Sequence, residues 1–307
     1  MPDTSTAPAF LYRDFATQEA IDAQYDTSRQ VVDPMALLAG RRTWSDEARA
    51  ALPFIADLAY GPSEVERLDV FPAPAEVADG APLVVFIHGG YWSSPWLVKE
   101  LYAWVARGLH AHGFATAVLD YGVCPDHTLD ALVAQSRRAL AWLHGHATHF
   151  GADPDKLYVT GHSAGGHLSA MLALTDWSAD GLPSDLVKGI CPISGLFDLG
   201  PFPHSWLHAK LQLTSAQVLR NGPIHYLRRG APPMLITWGA NETPEFHRQA
   251  NDFHDAAQAL GIDSALMPIA GCMHNSAIDG LRDPQSPLCL ALAAHVQRCT
   301  SGASQAA

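Results

Sequence analysis

One serine, one carboxylate and one histidine stand in this sequence where they could cleave an acyl bond. Residues 160–166 read TGHSAGG, and Gly161-His162-Ser163-Ala164-Gly165 fits the pattern G-x-S-x-G. A serine hydroxyl is a weak nucleophile unless a base takes its proton, and it must project clear of its own chain to reach a substrate. The pattern provides that projection where it joins a strand to a helix. The serine takes a strained backbone conformation, and glycine on either side leaves room for a sharp turn. The NH of Ala164 then points at whatever bonds to the hydroxyl. The same residues could form a Gly/Ser turn without chemistry. The flanks favour the nucleophile, with the apolar run Leu157–Thr160 before it and the Ala/Leu-rich Ala164–Leu174 after it.

Attack on an acyl carbon puts negative charge on the former carbonyl oxygen, and each donor aimed there is worth about 3 kcal/mol. His88-Gly89-Gly90-Tyr91-Trp92 follows the apolar run Leu83–Ile87. Its glycines would let the main chain approach a substrate and turn its NH groups inward. The donors are assigned to the backbone NH groups of Gly90, Tyr91 and Ala164. His88 precedes the serine and reads as an organiser of the loop, not as the base. On this architecture the partners follow the nucleophile in the order acid, then histidine, each after a late strand. Met234–Thr237 leads into Trp238-Gly239-Ala240-Asn241-Glu242, which makes Glu242 the acid. Glu245 competes, but is better placed to open the next helix. Ala265–Pro268 leads into Ile269-Ala270-Gly271-Cys272-Met273-His274, and that position selects His274 as the base from 16 histidines. Tyr91, Trp92, Trp96 and Trp206 could flank an aromatic substrate, or simply pack. His144, His146 and His149 match no zinc spacing and read as a helix end and its loop. No metal and no organic cofactor is expected.

These residues need a scaffold that brings distant loops to one place. Short apolar runs at Leu83–Ile87, Ala115–Leu119, Leu157–Thr160, Ile190–Ile193, Met234–Thr237 and Ala265–Pro268 read as strands buried on both faces. Arg67–Phe71 reads as the first strand, and the proline-rich Pro72–Pro82 as a loop. Helical spacing joins Leu97, Leu101, Val105 and Leu109, then Leu129 to Leu143, Phe246 to Leu260 and Leu288–Val296. The alternation predicts an α/β fold: a mostly parallel central sheet with helices on both faces. Residues 1–60 read as an N-terminal helical extension, 61–300 as the main α/β domain and 301–307 as a tail. Residues 197–231, rich in Pro, Trp and His, read as an insertion at the C-terminal edge of the sheet, where ligands bind in open α/β folds. Extension and insertion together would make a small cap.

The totals exclude several classes. The chain has 307 residues, 48% hydrophobic and 16% charged, enough apolar material for a large core. A formal net charge of −12 argues against nucleic acid. No apolar run is long enough to span a bilayer, and MPDTSTAPAFLYRDF lacks the apolar centre of a signal peptide. Five cysteines, Cys124, Cys191, Cys272, Cys289 and Cys299, with no CxxC, fit a reducing cytoplasm. A small-molecule substrate is expected.

The sequence resembles the arylformamidases (kynurenine formamidases) of the α/β-hydrolase fold, relatives of the hormone-sensitive-lipase-like esterases. The likeness is carried by HGGYW at 88–92, DYGVCP at 120–125, GHSAGGHLSAM at 161–171, SGLFDL at 194–199, GANETPEF at 239–246 and GCMHNSAIDGL at 271–281. It spans most of residues 80–285, and the segment Tyr25–Val32 also fits. HGGYW discriminates, because general esterases of the group more often carry a third glycine where Tyr91 stands. The resemblance implies nucleophile Ser163, acid Glu242 and base His274, hydrolysis of N-formyl-L-kynurenine to kynurenine and formate, and a homodimer. Two departures stand out. The acid in the family is often Asp, and an aromatic often follows the base where this chain has Asn275. A carboxylesterase acting on small aryl or acyl esters would use the same residues. A binding module on this fold usually lacks one of the three, and here all three positions are filled.

Overall fold

The computed structural model describes residues 10–77 and 80–301; of the expected tail, residues 302–307 lie outside them. The described chain enters through two helices, α1 (Gln18–Tyr25) and α2 (Pro34–Ala51). Thr17 and Asp33 cap them by accepting the NH of Ala20 and Ala36, and Pro34 opens α2. One tight turn, Thr27–Gln30, joins the two helices.

Eight strands follow in one sheet: β1 (Ile55–Ala59), β2 (Arg67–Phe71), β3 (Ala81–Ile87), β4 (Ala115–Leu119), β5 (Ala152–His162), β6 (Val187–Ile193), β7 (Met234–Gly239) and β8 (Ser264–Ile269). Their order is β1-β2-β4-β3-β5-β6-β7-β8. β1 and β2 pair antiparallel, and β3 to β8 are parallel. The connecting helices are α3 (Val105–Ala111), α4 (Leu129–His146), α5 (Ala164–Ala173), α6 (His208–Leu211), α7 (Ser215–Asn221), α8 (Pro244–Ala259) and α9 (Pro287–Ser301). This is the α/β-hydrolase fold.

Side chains alternate along a strand, so a strand covered on both faces feeds two cores. In β3, Leu83, Val85 and Ile87 enter the core that holds α4, α5 and α8, while Val84 and Phe86 enter the one that holds α3 and α9. The extension straddles both. Ile21 and Tyr25 of α1 join the first core, and Ala48 of α2 joins the second. The turn Thr27–Gln30 therefore crosses over the C-terminal end of the sheet. The 197–231 segment carries α6 and α7.

Two expectations need correction. The first strand is Ile55–Ala59, not Arg67–Phe71. It is an antiparallel edge strand with mostly exposed residues and a bulge, so it lacks the apolar run that marks the buried strands. Leu97 to Leu109 do not lie on one helix. A short 3-10 turn at Lys99–Leu101 precedes α3, and its Lys99 forms ion pairs with Asp57 and Asp69 at 2.7 and 2.9 Å. The three histidines near 144–149 stand at the end of α4 and in the turn after it.

Candidate active site

Parallel strands deliver their C-terminal loops to one end of the sheet. β3 delivers the His88–Trp92 loop, β5 delivers Ser163, β7 delivers Glu242 and β8 delivers His274. Ser163 sits between β5 and α5 with φ 57° and ψ −116°. Such a conformation costs a non-glycine residue about 1–3 kcal/mol and persists only where its surroundings enforce it. Here the Ser163 NH donates to Ile193 O at 2.8 Å. A Cβ on Gly165 would lie 1.9 Å from Ile87 O, and one on Gly161 would lie 2.4 Å from Gly165 O. Only glycine lets the turn press against β3. Ser163 stands where a helix cap would, yet its hydroxyl caps no NH and stays free for other work.

His274 Nδ1 donates to Glu242 Oε2 at 2.9 Å, and both side chains are buried. Glu242 is held in turn: its Oε1 accepts from the Gly239 NH at 2.7 Å and the Ser194 hydroxyl at 2.5 Å. With Nδ1 donating, Nε2 is the acceptor nitrogen of the ring. Ser163 and His274 line one cleft of about 240 Å³ together with Gly89, Gly90, Tyr91 and His162. No hydrogen bond joins the Ser163 hydroxyl to the imidazole among the described residues; catalytic pairs often tighten only around a substrate. Glu245 lies elsewhere, accepting from Tyr25 Oη and paired to Arg248, both at 2.8 Å.

The loop after β3 takes left-handed conformations at Gly90, Tyr91 and Trp92, with φ of 120°, 50° and 55°. The NH groups of Gly90, Tyr91 and Ala164 donate to no group among the described residues. His88 stacks between Tyr102 and Tyr121 at 5.6 and 4.6 Å and bonds Gly89 O at 2.7 Å, which fixes the loop root. Tyr91 Oη donates to Tyr25 O at 2.5 Å and ties the loop to the extension. Trp96 lines the cleft mouth and is 59% exposed.

Trp92 and Trp206 do not line the cleft. The left-handed turn sends the Trp92 ring inward, where it is fully buried and donates Nε1 to His167 Nδ1 at 3.2 Å. His167 passes its other nitrogen to Asn221 O at 2.7 Å, so one imidazole ties the loop, α5 and the insertion together. Burial pushes that ring down to about 4 and keeps it neutral. Trp206 stands edge-on to Tyr91 at 5.7 Å, one layer out.

Four residues of the site carried no assignment from sequence. Ser194, with φ 51°, holds Glu242. Gln30 Oε1 accepts the His274 NH at 3.2 Å. His162 Nε2 donates to His274 O at 2.9 Å, its ring 4.6 Å from that of His274. Burial first, and the neighbouring His274 second, drive the His162 pKa well below the usual histidine value. Arg41 of α2 lines the cleft itself. Ser194 opens the SGLFDL segment, His162 lies within GHSAGGHLSAM and Gln30 within Tyr25–Val32, all usable signals; Arg41 has none.

No group of His, Cys, Asp and Glu among the described residues could hold a metal ion. No helix among them is long and apolar enough to cross a membrane.

Fold and cleft together define a hydrolase of the α/β-hydrolase class. The chain belongs to the BD-FAE family, whose model matches residues 68–256. A kynurenine formamidase of Danio rerio is 28% identical over 87% of this chain and 92% of the relative. One of Salmo salar is 30% identical over 78% and 81%. Among solved structures, Thermogutta terrifontis esterase 2 superposes with a TM-score of 0.62 at 25% identity, covering 79% of this chain and 93% of that one.

Proposed function

We propose that this enzyme hydrolyses aryl formamides, with N-formyl-L-kynurenine as substrate and L-kynurenine and formate as products. The observation that carries the reading is the Glu242–His274 pair at 2.9 Å, set in the cleft that Ser163 also lines. Two kynurenine formamidase relatives covered over most of their length support the substrate. His274 Nε2 takes the Ser163 proton while Oγ bonds to the formyl carbon. The oxyanion is held by the NH groups of Gly90, Tyr91 and Ala164. The C–N bond breaks as the imidazolium returns its proton to the aniline nitrogen, leaving a formyl ester on Ser163. Water, deprotonated by His274, attacks that ester and releases formate and the serine. Glu242 fixes the tautomer and offsets the imidazolium charge. The extension and the 197–231 segment act as a cap over the 61–300 domain. Five free thiols suit a cytoplasmic location, and a homodimer is the expected assembly.

The likeness to an esterase favours a second reading, cleavage of small aryl or acyl esters. Turnover of N-formylkynurenine beside 4-nitrophenyl acetate separates the two, and turnover of the ester alone removes the formamidase reading. Ser163→Ala should lower kcat on either substrate by about 10⁴- to 10⁶-fold, and near-normal turnover would remove the triad.

A further inference from the structure

The chain carries a net charge of −12, yet among the described residues the cleft that Ser163 lines holds no aspartate and no glutamate. Among the described residues that line it, Arg41 is the only ionisable cation apart from two histidines. Arg41 as a whole is 2% exposed. Nη1 donates to Tyr102 Oη at 3.3 Å and Nη2 to Asn275 O at 2.8 Å. Nε is buried with no partner. Arg41 forms no ion pair with any carboxylate among the described residues. Asp279 feels its charge but lies beyond ion-pair distance, and burial raises that carboxyl to about 6, which weakens it as a counter-ion.

A buried cation without an anion is costly unless something else completes it. A guanidinium also presents its donors as a rigid fork matched to a carboxylate. Arg41 bonds the backbone of Asn275, next to His274, and its charge reaches His162, next to Ser163. It therefore stands beside both reacting groups without belonging to either.

We propose that Arg41 is the carboxylate-recognition residue of the cleft, which makes the preferred substrates acids bearing a free carboxylate on the leaving-group side of the scissile bond. This deepens the formamidase reading but rests only on Ser163 hydrolysis, not on the formamide itself.

Two matched pairs test it. One is N-formylkynurenine against 2-formamidoacetophenone, the neutral aryl formamide. The other is 3-(2-acetoxyphenyl)propanoate against its primary amide, an aryl ester pair with the carboxylate likewise on the leaving-group side. Arg41→Gln should raise the ratio of the KM of the carboxylate-bearing member to that of the member lacking it by about tenfold in each pair that is turned over. Damage to the loop after His274 acts on both members and leaves the ratio alone, so an unchanged ratio overturns the proposal. Should Arg41→Gln fail to fold, the wild type decides. 3-Phenylpropanoate should inhibit competitively and 3-phenylpropanamide at least about tenfold more weakly; equal inhibition overturns the proposal. If neither formamide is turned over, the formamidase reading falls while the ester pair still decides Arg41.

Discussion

The two walls of the cleft are built in opposite ways. One wall rises from strand ends: the Gly89–Tyr91 loop, Ser163 and His274 leave β3, β5 and β8 within a few residues of buried, hydrogen-bonded sheet. The other wall, Thr27 to Arg41, belongs to the segment of α1, α2 and the turn between them, which touches the sheet through packing and scattered polar contacts. Strand ends can hold strained residues such as Ser163 because neighbouring strands anchor the backbone there, as Ile193 O does for the Ser163 NH. An extension cannot hold strain so well, but it can change its lining without disturbing the sheet. On the proposed function, chemistry belongs to the first wall and substrate choice to the second.

Breaking the first wall should produce the larger losses, and in kcat. Glu242→Gln keeps the shape but replaces the carboxylate that fixes His274. We expect kcat to fall about 10²- to 10⁴-fold with KM little changed, on formamide and ester alike. Steady-state kinetics on both substrates check this, and a loss confined to KM would contradict the division of labour. Ser194→Ala removes one of the two donors to Glu242 Oε1 and leaves the carboxylate in place. A lost hydrogen bond to a charged group predicts a fall of about tenfold in kcat. The pH profile should shift as well, because Glu242 would be less firmly oriented toward the imidazole. An unchanged profile would make Ser194 a packing residue only.

The same contrast explains what could be read from sequence. The central strands, Ser163 and its turn, Glu242 and His274 are each fixed by local pattern: an apolar run, a glycine doublet, a place after a strand. β1 escaped because an exposed edge strand needs no apolar run. Trp92 looked like a substrate contact, but the left-handed backbone at residues 90–92 decides its direction, and no composition rule carries that sign. Arg41 escaped for a different reason. It is one of several arginines on an amphipathic helix, and only the packing of α2 across the sheet end puts it in the cleft.

The seam between the walls gives the smallest effect. Asp279 is largely buried, faces Arg41 and Arg282, and has one oxygen without a partner. Burial raises its pKa from 3.8 to about 6 despite both arginines. A carboxyl that holds its proton more tightly when folded stabilises the protein below its unfolded pKa, and loses that contribution as pH rises through the folded value. At pH 8 the ionised group therefore costs stability. Asp279→Asn removes that cost, discounted for partial exposure to about 1 kcal/mol, or a Tm gain of about 2 °C. The gain should shrink as pH falls from about 6 and vanish below about 4. Thermal melts of both proteins across that range check it. A gain that persists at pH 3 would mean that Asp279 acts through packing rather than charge, and would tie the seam to the rigid wall instead of the adjustable one.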